Sequence, residues 1–281
     1  MLYMTDPNLW NQLLIWPIVN ILVAFYKLFE WLHVPGVMGF AIIGMTAFIR
    51  LLLYPLMQAQ MKSAKKMSNL KPHLDALNAK HKDDKPKLQQ AQLALYKEHG
   101  VNPAAGCLPL LVQMPILFAL YNVFYQVLGN GNLETLVSQM NQILYLPILK
   151  LTTLDLTFFG INLGLKPEAW QTQGWWLLSI PVITGLLQFW QSKLMLPAPQ
   201  TSDLRHKTLE KKDLKSEVQS PKSDSDAMGD MQKQMAYITP IMFGFFAFQF
   251  PLGLSLYWNV FGLFGIMQQL RINAENNPIV K

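Results

Sequence analysis

The chain has 281 residues, of which 51% are hydrophobic and 12% aromatic, while only 14% are charged. An ordinary soluble domain carries about 25% charged residues, so this composition indicates a membrane protein. The single cysteine, Cys107, cannot form an internal disulfide, and the fold must therefore rest on helix packing. The net charge of +6 would suggest a nucleic-acid partner on a soluble surface, but here the charges are gathered in two loops.

Five segments of the chain are apolar over about 17 to 25 residues, the length that crosses a hydrocarbon core of about 30 Å as a helix. They predict an all-α, polytopic membrane protein. The last two segments are separated by Pro251 and Gly253, which predict a helix end followed by a tight reversal. The predicted spans are residues 37–58, 106–128, 174–196, 234–250 and 252–270.

Basic residues are concentrated in the segments that follow the first and the third predicted spans. Residues 59–105 carry nine lysines and residues 193–233 add eight basic residues, whereas the predicted extracytoplasmic loop at residues 129–173 has two. Cytoplasmic loops retain an excess of lysine and arginine, so the N-terminus is predicted outside and the C-terminal tail, residues 271–281, in the cytoplasm. Binding of the ribosome or of phospholipids by the basic loops is an alternative that can coexist with this bias.

The N-terminal segment, residues 1–36, is predicted to be an amphipathic helix in the outer membrane interface rather than a sixth span. A sixth span would require a cytoplasmic N-terminus, because the lysine-rich loop must stay inside, yet no basic residue precedes Lys27. Polar residues also interrupt the tryptophans and leucines of this segment, namely Asn11, Gln12, Asn20, Lys27 and Glu30.

The two basic segments have different predicted structures. Residues 59–105 show helical periodicity in two arms that are interrupted at residues 83–86, which predicts a cytoplasmic helical hairpin. Residues 197–233 are rich in lysine, serine, aspartate and proline, and they are predicted to form a disordered cytoplasmic linker.

Arg50 lies inside the first predicted span, about 12 Å from its cytoplasmic end at 1.5 Å per residue. An arginine at the centre of a span costs about 2.5 to 3.5 kcal/mol on insertion scales, so such a residue normally faces water or a partner. All 17 acidic residues lie outside the predicted spans. A water-filled groove is therefore predicted around Arg50, with snorkelling to the cytoplasmic headgroups as the alternative.

Further polar residues are predicted to line the same groove. Each of them alone is also explained by hydrogen bonding between helices. Because they come from three spans and accompany a buried arginine, together they favour one hydrophilic cavity. They are Gln113 in the second span, Thr184, Gln188 and Gln191 at helical spacing in the third, and Ser255 and Asn259 in the fifth.

Several motifs, in order along the chain, resemble those of one membrane protein family. The most specific is YKEHGVNPAAGCLPLLVQMPI at residues 96–116, which resembles the family's entry to the second core span. Shorter matches are FIRLLLYPL at residues 48–56, QSK at 191–193, FPLGL at 250–254 and YW at 257–258. On these motifs the chain resembles the YidC/Oxa1/Alb3 insertases.

This resemblance implies a core of transmembrane helices that encloses a hydrophilic groove, with Arg50 at the position of the groove arginine. It also assigns Tyr257 and Trp258 to the groove. The implied function is insertion and folding of integral membrane proteins in the bacterial cell membrane. The implied partners are nascent membrane proteins and the lipid bilayer, with the ribosome and the Sec translocon as further candidates.

Other classes of function are less favoured by the sequence. The histidines lie outside the predicted spans, and no catalytic or cofactor-binding motif is found, so we expect neither an enzyme nor a cofactor or metal. A small-solute transporter or channel is the main alternative, but an odd number of spans cannot divide into equal inverted repeats.

Overall fold

The computed structural model describes residues 4–81, 84–100, 108–129, 133–195 and 224–275, and these are mostly helical. In them, β1 (Thr157–Phe158) pairs antiparallel with β2 (Ile161–Asn162), with Phe158 opposite Ile161. A π-helical turn, Asn11–Ile15, precedes the first α-helix. The α-helices are α1 (Trp16–Trp31), α2 (Val37–Leu52), α3 (Tyr54–Asn69), α4 (Lys71–Lys80), α5 (Lys85–Glu98), α6 (Leu108–Gly129), α7 (Leu133–Ile143), α8 (Trp170–Gln173), α9 (Ser179–Met195), α10 (Asp224–Gln249) and α11 (Leu252–Glu275).

The first predicted span, residues 37–58, is divided in the structure. α2 ends at Leu52, and the segment Tyr54–Lys80 continues after a bend of 63°. Pro55 explains the bend, because its ring lacks an N–H and clashes with the preceding turn of a continuous helix. Taken together, the two parts of this bent pair, Val37–Leu52 and Tyr54–Lys80, are still long and apolar enough for one membrane span. Arg50 lies in the last turn of α2, closer to the helix end than predicted.

The other predicted spans fall on α6, α9, α10 and α11, and two of these helices are longer than predicted. α10 begins at Asp224, inside the predicted linker, and α11 continues to Glu275, inside the predicted tail. In the sequence, Met228, Met231 and Met235 recur at helical spacing. The rest of that linker, residues 197–223, lies outside the described residues.

The helices α2, α6, α9, α10 and α11 run alternately between two ends of the molecule. We call the end at which α11 starts the loop-side end. There, Leu252 N donates to Leu165 O over 2.8 Å. At the opposite, hairpin-side end, Lys65 Nζ donates to Asn273 Oδ1 over 2.9 Å and Asn273 Nδ2 donates to Leu194 O over 3.4 Å. The second set of bonds joins α3, α9 and α11.

The N-terminal segment is bonded along its length to the loop-side end. Met4 N donates to Gln126 Oε1 over 3.1 Å near the end of α6, and Asp155 N donates to the Tyr26 hydroxyl over 2.9 Å. Among the described residues, Asn11–Trp31 is the one continuous helix whose length and mean hydropathy of 1.7 would allow a membrane crossing. The two hydrogen bonds above lie at the loop-side end, whereas Phe25 also packs against Phe48 of α2, at a ring-centroid distance of 6.2 Å. The interfacial position of the segment stays a prediction.

α9 and α10 pack closely because glycines lie where their backbones meet. A Cβ on Gly244 would lie 3.3 Å from Pro181 O, and one on Gly185 would lie 3.5 Å from Pro240 O. Small residues of this kind allow the helices of membrane proteins to approach each other. The close approach fixes the position of α9, which carries one side of the candidate site.

α4 and α5 pack against each other as two arms beyond the hairpin-side end. Leu70 and Tyr96 are buried in a small apolar cluster of their own. Gln92 Nε2 donates to Asn78 Oδ1 over 2.9 Å, which joins the middle of one arm to the other. The cytoplasmic position of these arms stays a prediction, and residues 82–83 and 101–107 lie outside the described residues.

Asn20 connects α1 to the segment after α7, which yields a prediction on stability. Its Nδ2 donates to Ile143 O over 2.9 Å, its Oδ1 accepts from Tyr145 N over 2.7 Å, and the residue is 6% exposed. Asn20→Ala removes the partner of both backbone groups, at about 1 to 3 kcal/mol each. We expect the melting temperature in detergent to fall by roughly 4 °C or more. Gln12→Ala, at an exposed position nearby, is the control, and equal melting temperatures for the two variants would contradict the prediction.

Asp84 caps α5, which yields a prediction on the hairpin. Its Oδ1 accepts from Lys87 N over 3.1 Å and its Oδ2 lies 2.9 Å from Lys87 Nζ. These hydrogen bonds from Lys87 lower the pKa of the Asp84 carboxyl. A lowered pKa stabilises the folded hairpin above the unfolded-state pKa, and this contribution is lost as the pH falls through the folded-state value.

We therefore expect Asp84→Ala to speed amide hydrogen exchange in α5 of the full-length protein at neutral pH. Asp84→Asn keeps an N-cap acceptor and is expected to show a smaller effect. The difference between wild type and Asp84→Ala is expected to shrink as the wild-type carboxylate is protonated at acid pH. A difference that does not depend on pH would contradict the ionic part of the cap.

Candidate functional site

Arg50 is buried against α11. Its guanidinium carbon lies 3.5 Å from the centroid of the Phe261 ring, which is the geometry of a cation–π contact. Its Nη2 donates to Phe261 O over 2.5 Å. The residue is only 5% exposed. A single residue of α11 therefore contacts the cation with both its ring and its backbone carbonyl.

The guanidinium lies far from both ends of the bundle. Phe261 follows Leu252 by nine residues and precedes Asn273 by twelve, or about 14 Å and about 18 Å along the helix. Within the described parts of the chain, no carboxylate forms an ion pair with Arg50. The charge is therefore held at mid-depth by a ring and a carbonyl, without a counter-charge from these residues.

Gln191 of α9 meets Arg50 at a glycine of α11. A Cβ on Gly265 would lie 2.6 Å from Gln191 Nε2 and 2.9 Å from Arg50 Nη2, so both side chains occupy the space that this glycine leaves. A Cβ on Gly262, one turn earlier, would lie 3.5 Å from Gln191 Oε1, an ordinary contact distance. The structure thus brings together Arg50 and Gln191, which the sequence predicted in one groove.

Several buried polar atoms on α2, α3 and α11 have no hydrogen-bond partner within the described parts of the chain. Ser255 is fully buried and Gln60 is 3% exposed. Buried polar groups in proteins normally have partners, and ordered water supplies them where protein atoms do not. The atoms concerned are Arg50 Nε, both amide atoms of Gln60, Ser255 Oγ, Asn259 Oδ1 and Gln269 Oε1. Such a set indicates a region that is hydrated or binds a polar ligand.

The other predicted groove residues of α6 and α9 have different surroundings. Thr184 Oγ1 donates to Ile180 O over 2.9 Å, so its hydroxyl is satisfied within its own helix. Gln188 is half-buried on the same helix. Gln113 belongs to α6, but its side chain lies outside the described residues. The groove positions of these three residues therefore stay predictions.

Tyr257 and Trp258 lie on different sides of α11. Tyr257 is fully buried, and its ring centroid lies 5.7 Å from that of Phe261. Trp258 packs against Phe243 and Phe246 of α10, at centroid distances of 5.3 and 6.4 Å. Adjacent helical residues point about 100° apart, so one of the pair supports the arginine contact while the other joins two helices. Both residues were predicted to lie in the groove, and these assignments stay predictions.

Sequence reasoning missed Phe261 and Gly265. It searched for carboxylates and polar side chains near Arg50, and an aromatic residue in an apolar span does not stand out. A signal was nevertheless present, because Phe261, Gly265 and Gln268 lie at helical spacing on the face that carries Tyr257. That face combines aromatic, small and polar residues, which is unusual for a surface that packs only against lipid or apolar helices.

Comparison with known proteins shows the family of the chain. Residues 28–278 match the family model described as 60Kd inner membrane protein. Membrane protein insertase YidC of Oceanobacillus iheyensis is 32% identical over 277 residues, which cover 95% of this chain and 84% of that protein. The chain belongs to the YidC/Oxa1/Alb3 family.

Two further relatives show how this chain compares in length with other family members. Membrane protein insertase YidC 1 of Halalkalibacterium halodurans is 31% identical over 273 residues, or 96% of this chain and 80% of the relative. Membrane protein insertase YidC of Rickettsia felis is 31% identical over 258 residues, which are 90% of this chain but 38% of the longer relative. The family resemblance inferred from the motifs at residues 48–56 and 96–116 is confirmed.

The glycine at the meeting point yields a prediction on activity in this YidC-family chain. Gly265→Ala places a methyl group where Gln191 and Arg50 now lie, so both flexible side chains must move. We expect insertion of a client with an acidic tail to fall several-fold, while the folded protein remains intact because alanine favours a helix over glycine by about 1 kcal/mol. Insertion into proteoliposomes measures the effect. Gly262→Ala adds the same methyl group one turn away, and a similar loss in that variant would contradict the role of Gly265.

Proposed function

We propose that the chain is a membrane protein insertase that passes polar tails of client proteins through a hydrated groove around Arg50. The observation that carries the proposal is a buried arginine at mid-depth, held by a ring and a carbonyl, among polar atoms that lack partners. Membership of the YidC/Oxa1/Alb3 family supports it, since the relatives compared above carry the name membrane protein insertase.

The proposed mechanism lowers the cost of moving polar groups across hydrocarbon. A polar group without a hydrogen-bond partner costs several kcal/mol in a lipid environment. In the groove, a client tail meets the guanidinium, the amide of Gln191 and water. Its apolar segment meanwhile moves sideways into the bilayer. No covalent step is needed, because the groove only has to stabilise a transient state better than lipid does.

The proposed orientation places the loop-side end outside and the hairpin-side end in the cytoplasm. The excess of basic residues at 59–105 and 193–233 supports this orientation. α2, α6, α9, α10 and α11 would then be the five spans, with Asn11–Trp31 in the outer interface. The partners are nascent membrane proteins, and the ribosome and the Sec translocon remain candidate partners of the basic segments.

The charge of Arg50 yields the main prediction on activity. A client with one span and an acidic outer tail is inserted by reconstituted wild type, Arg50→Lys and Arg50→Ala, and protection of the tail from added protease is measured. We expect Arg50→Ala to lose about tenfold or more of the insertion, since removing one partner of a buried charge contact typically costs 2 kcal/mol or more. Arg50→Lys keeps the charge but not the planar group, and we expect an intermediate rate.

The outcomes of this experiment separate the parts of the proposal. Equal insertion by all three proteins would show that the charge is dispensable and that the other polar groups suffice. Failure of wild type to insert any client, alone or with a Sec translocon added, would overturn the insertase function. Leakage of small solutes that depends on the protein would favour a channel instead.

A further inference from the structure

We propose that Phe261 is a positioning residue that sets the preference of the groove for client tails carrying carboxylates over neutral polar tails. The inference rests on the proposed function and concerns which tails the groove favours. It starts from one contact in the described part of the chain, the guanidinium of Arg50 stacked 3.5 Å from the Phe261 ring centroid. An aromatic ring carries no charge, so it holds the cation without neutralising it.

The ring and the carbonyl fix the guanidinium in two directions. The ring covers one face of the planar group, and the bond from Nη2 to Phe261 O, at 2.5 Å, fixes its edge. Tyr257 is fully buried with its ring 5.7 Å from that of Phe261, which limits movement of the phenylalanine. The orientation of the cation is therefore determined by residues of one helix face, independently of any client.

The fixed guanidinium keeps donors for a ligand beyond the N–H of Nη2 that bonds to Phe261 O. Arg50 Nε is buried and has no hydrogen-bond partner among the described residues. A carboxylate that accepts from Nε and from a neighbouring nitrogen forms a charge-assisted pair of parallel bonds, roughly twice as strong as neutral hydrogen bonds. The oxygen of a neutral amide accepts only a bond comparable to the one that Arg50 Nη2 already donates to Phe261 O. The fixed arrangement therefore favours carboxylates.

The ring strengthens this preference because it replaces water on one face of the cation. A charge pair is worth more where water is excluded, whereas a bond between neutral groups depends less on the surrounding dielectric. Removing the ring admits water and lets the long side chain adopt other rotamers. The rate for an acidic tail is then expected to fall, while the rate for a neutral tail of the same length changes little.

The test compares two clients that differ only in the tail, one with aspartate and glutamate and the other with asparagine and glutamine at the same positions. Full-length Phe261→Leu, Phe261→Tyr and wild type are reconstituted, and the ratio of acidic-tail to neutral-tail insertion is measured. We expect Phe261→Leu to lower this ratio about threefold or more, the range of a partly desolvated cation–π contact. Phe261→Tyr keeps the ring and is expected to keep the ratio.

Arg50→Ala is the reference that separates this inference from the proposed function. If Arg50→Ala inserts both clients as well as wild type, the charge mechanism itself fails. If Arg50→Ala lowers acidic-tail insertion while Phe261→Leu leaves the ratio unchanged, only the role of Phe261 is overturned. Phe261→Met, of similar volume and without a ring, is used if the leucine variant does not fold, and an unchanged ratio in it would overturn the inference equally. A purely structural role of Phe261 would lower both rates together and leave the ratio intact.

Discussion

The structure depends on how a permanent cation is held inside an apolar helix bundle. Arginine cannot lose its proton at any ordinary pH, so burial cannot be relieved by neutralisation as it can for lysine. Here the cost is offset by the face of Phe261 and by a backbone carbonyl, both from α11. This solution requires α2 and α11 to pack side by side at this level. Gly265 leaves the space that Arg50 and Gln191 occupy, and a larger residue there would displace the ends of both side chains.

The contacts of Arg50 explain why its surroundings tolerate so many polar atoms without partners. An unsatisfied buried group costs about 1 to 3 kcal/mol, so several in one region would be a heavy cost to a dry core. Ser255, Asn259 and Gln60 lie on helices that also contact the arginine region. If water occupies this region, the same groups are satisfied in the resting protein and can exchange water for a client tail. Under the proposed mechanism, the polarity that would weaken an ordinary core allows this one to accept a polar segment transiently.

Sequence reasoning predicted the helical class and the family, because these follow from composition, periodicity and motifs. It named Arg50 and Gln191 as groove residues but did not predict that they contact the same glycine. It did not predict the division of the first span, although Pro55 was visible, since an apolar run through a proline still satisfies the length criterion. It missed Phe261, which is 211 residues from Arg50 along the chain and whose ring is indistinguishable from the other apolar aromatics of its span.

The two ends of the bundle are held by different kinds of bond, and this difference bears on direction. At the loop-side end, backbone groups bond to each other and to buried side chains, as Leu252 does to Leu165 and Asn20 to Ile143. At the hairpin-side end, the described residues that join α3, α9 and α11 use side-chain bonds centred on Asn273, one of them 3.4 Å long. Side-chain bonds near water exchange for water at little cost, whereas buried backbone bonds do not. Under the proposed mechanism, a polar segment enters from the hairpin-side end and stops beneath the loop-side end, and the arginine lies between these two levels.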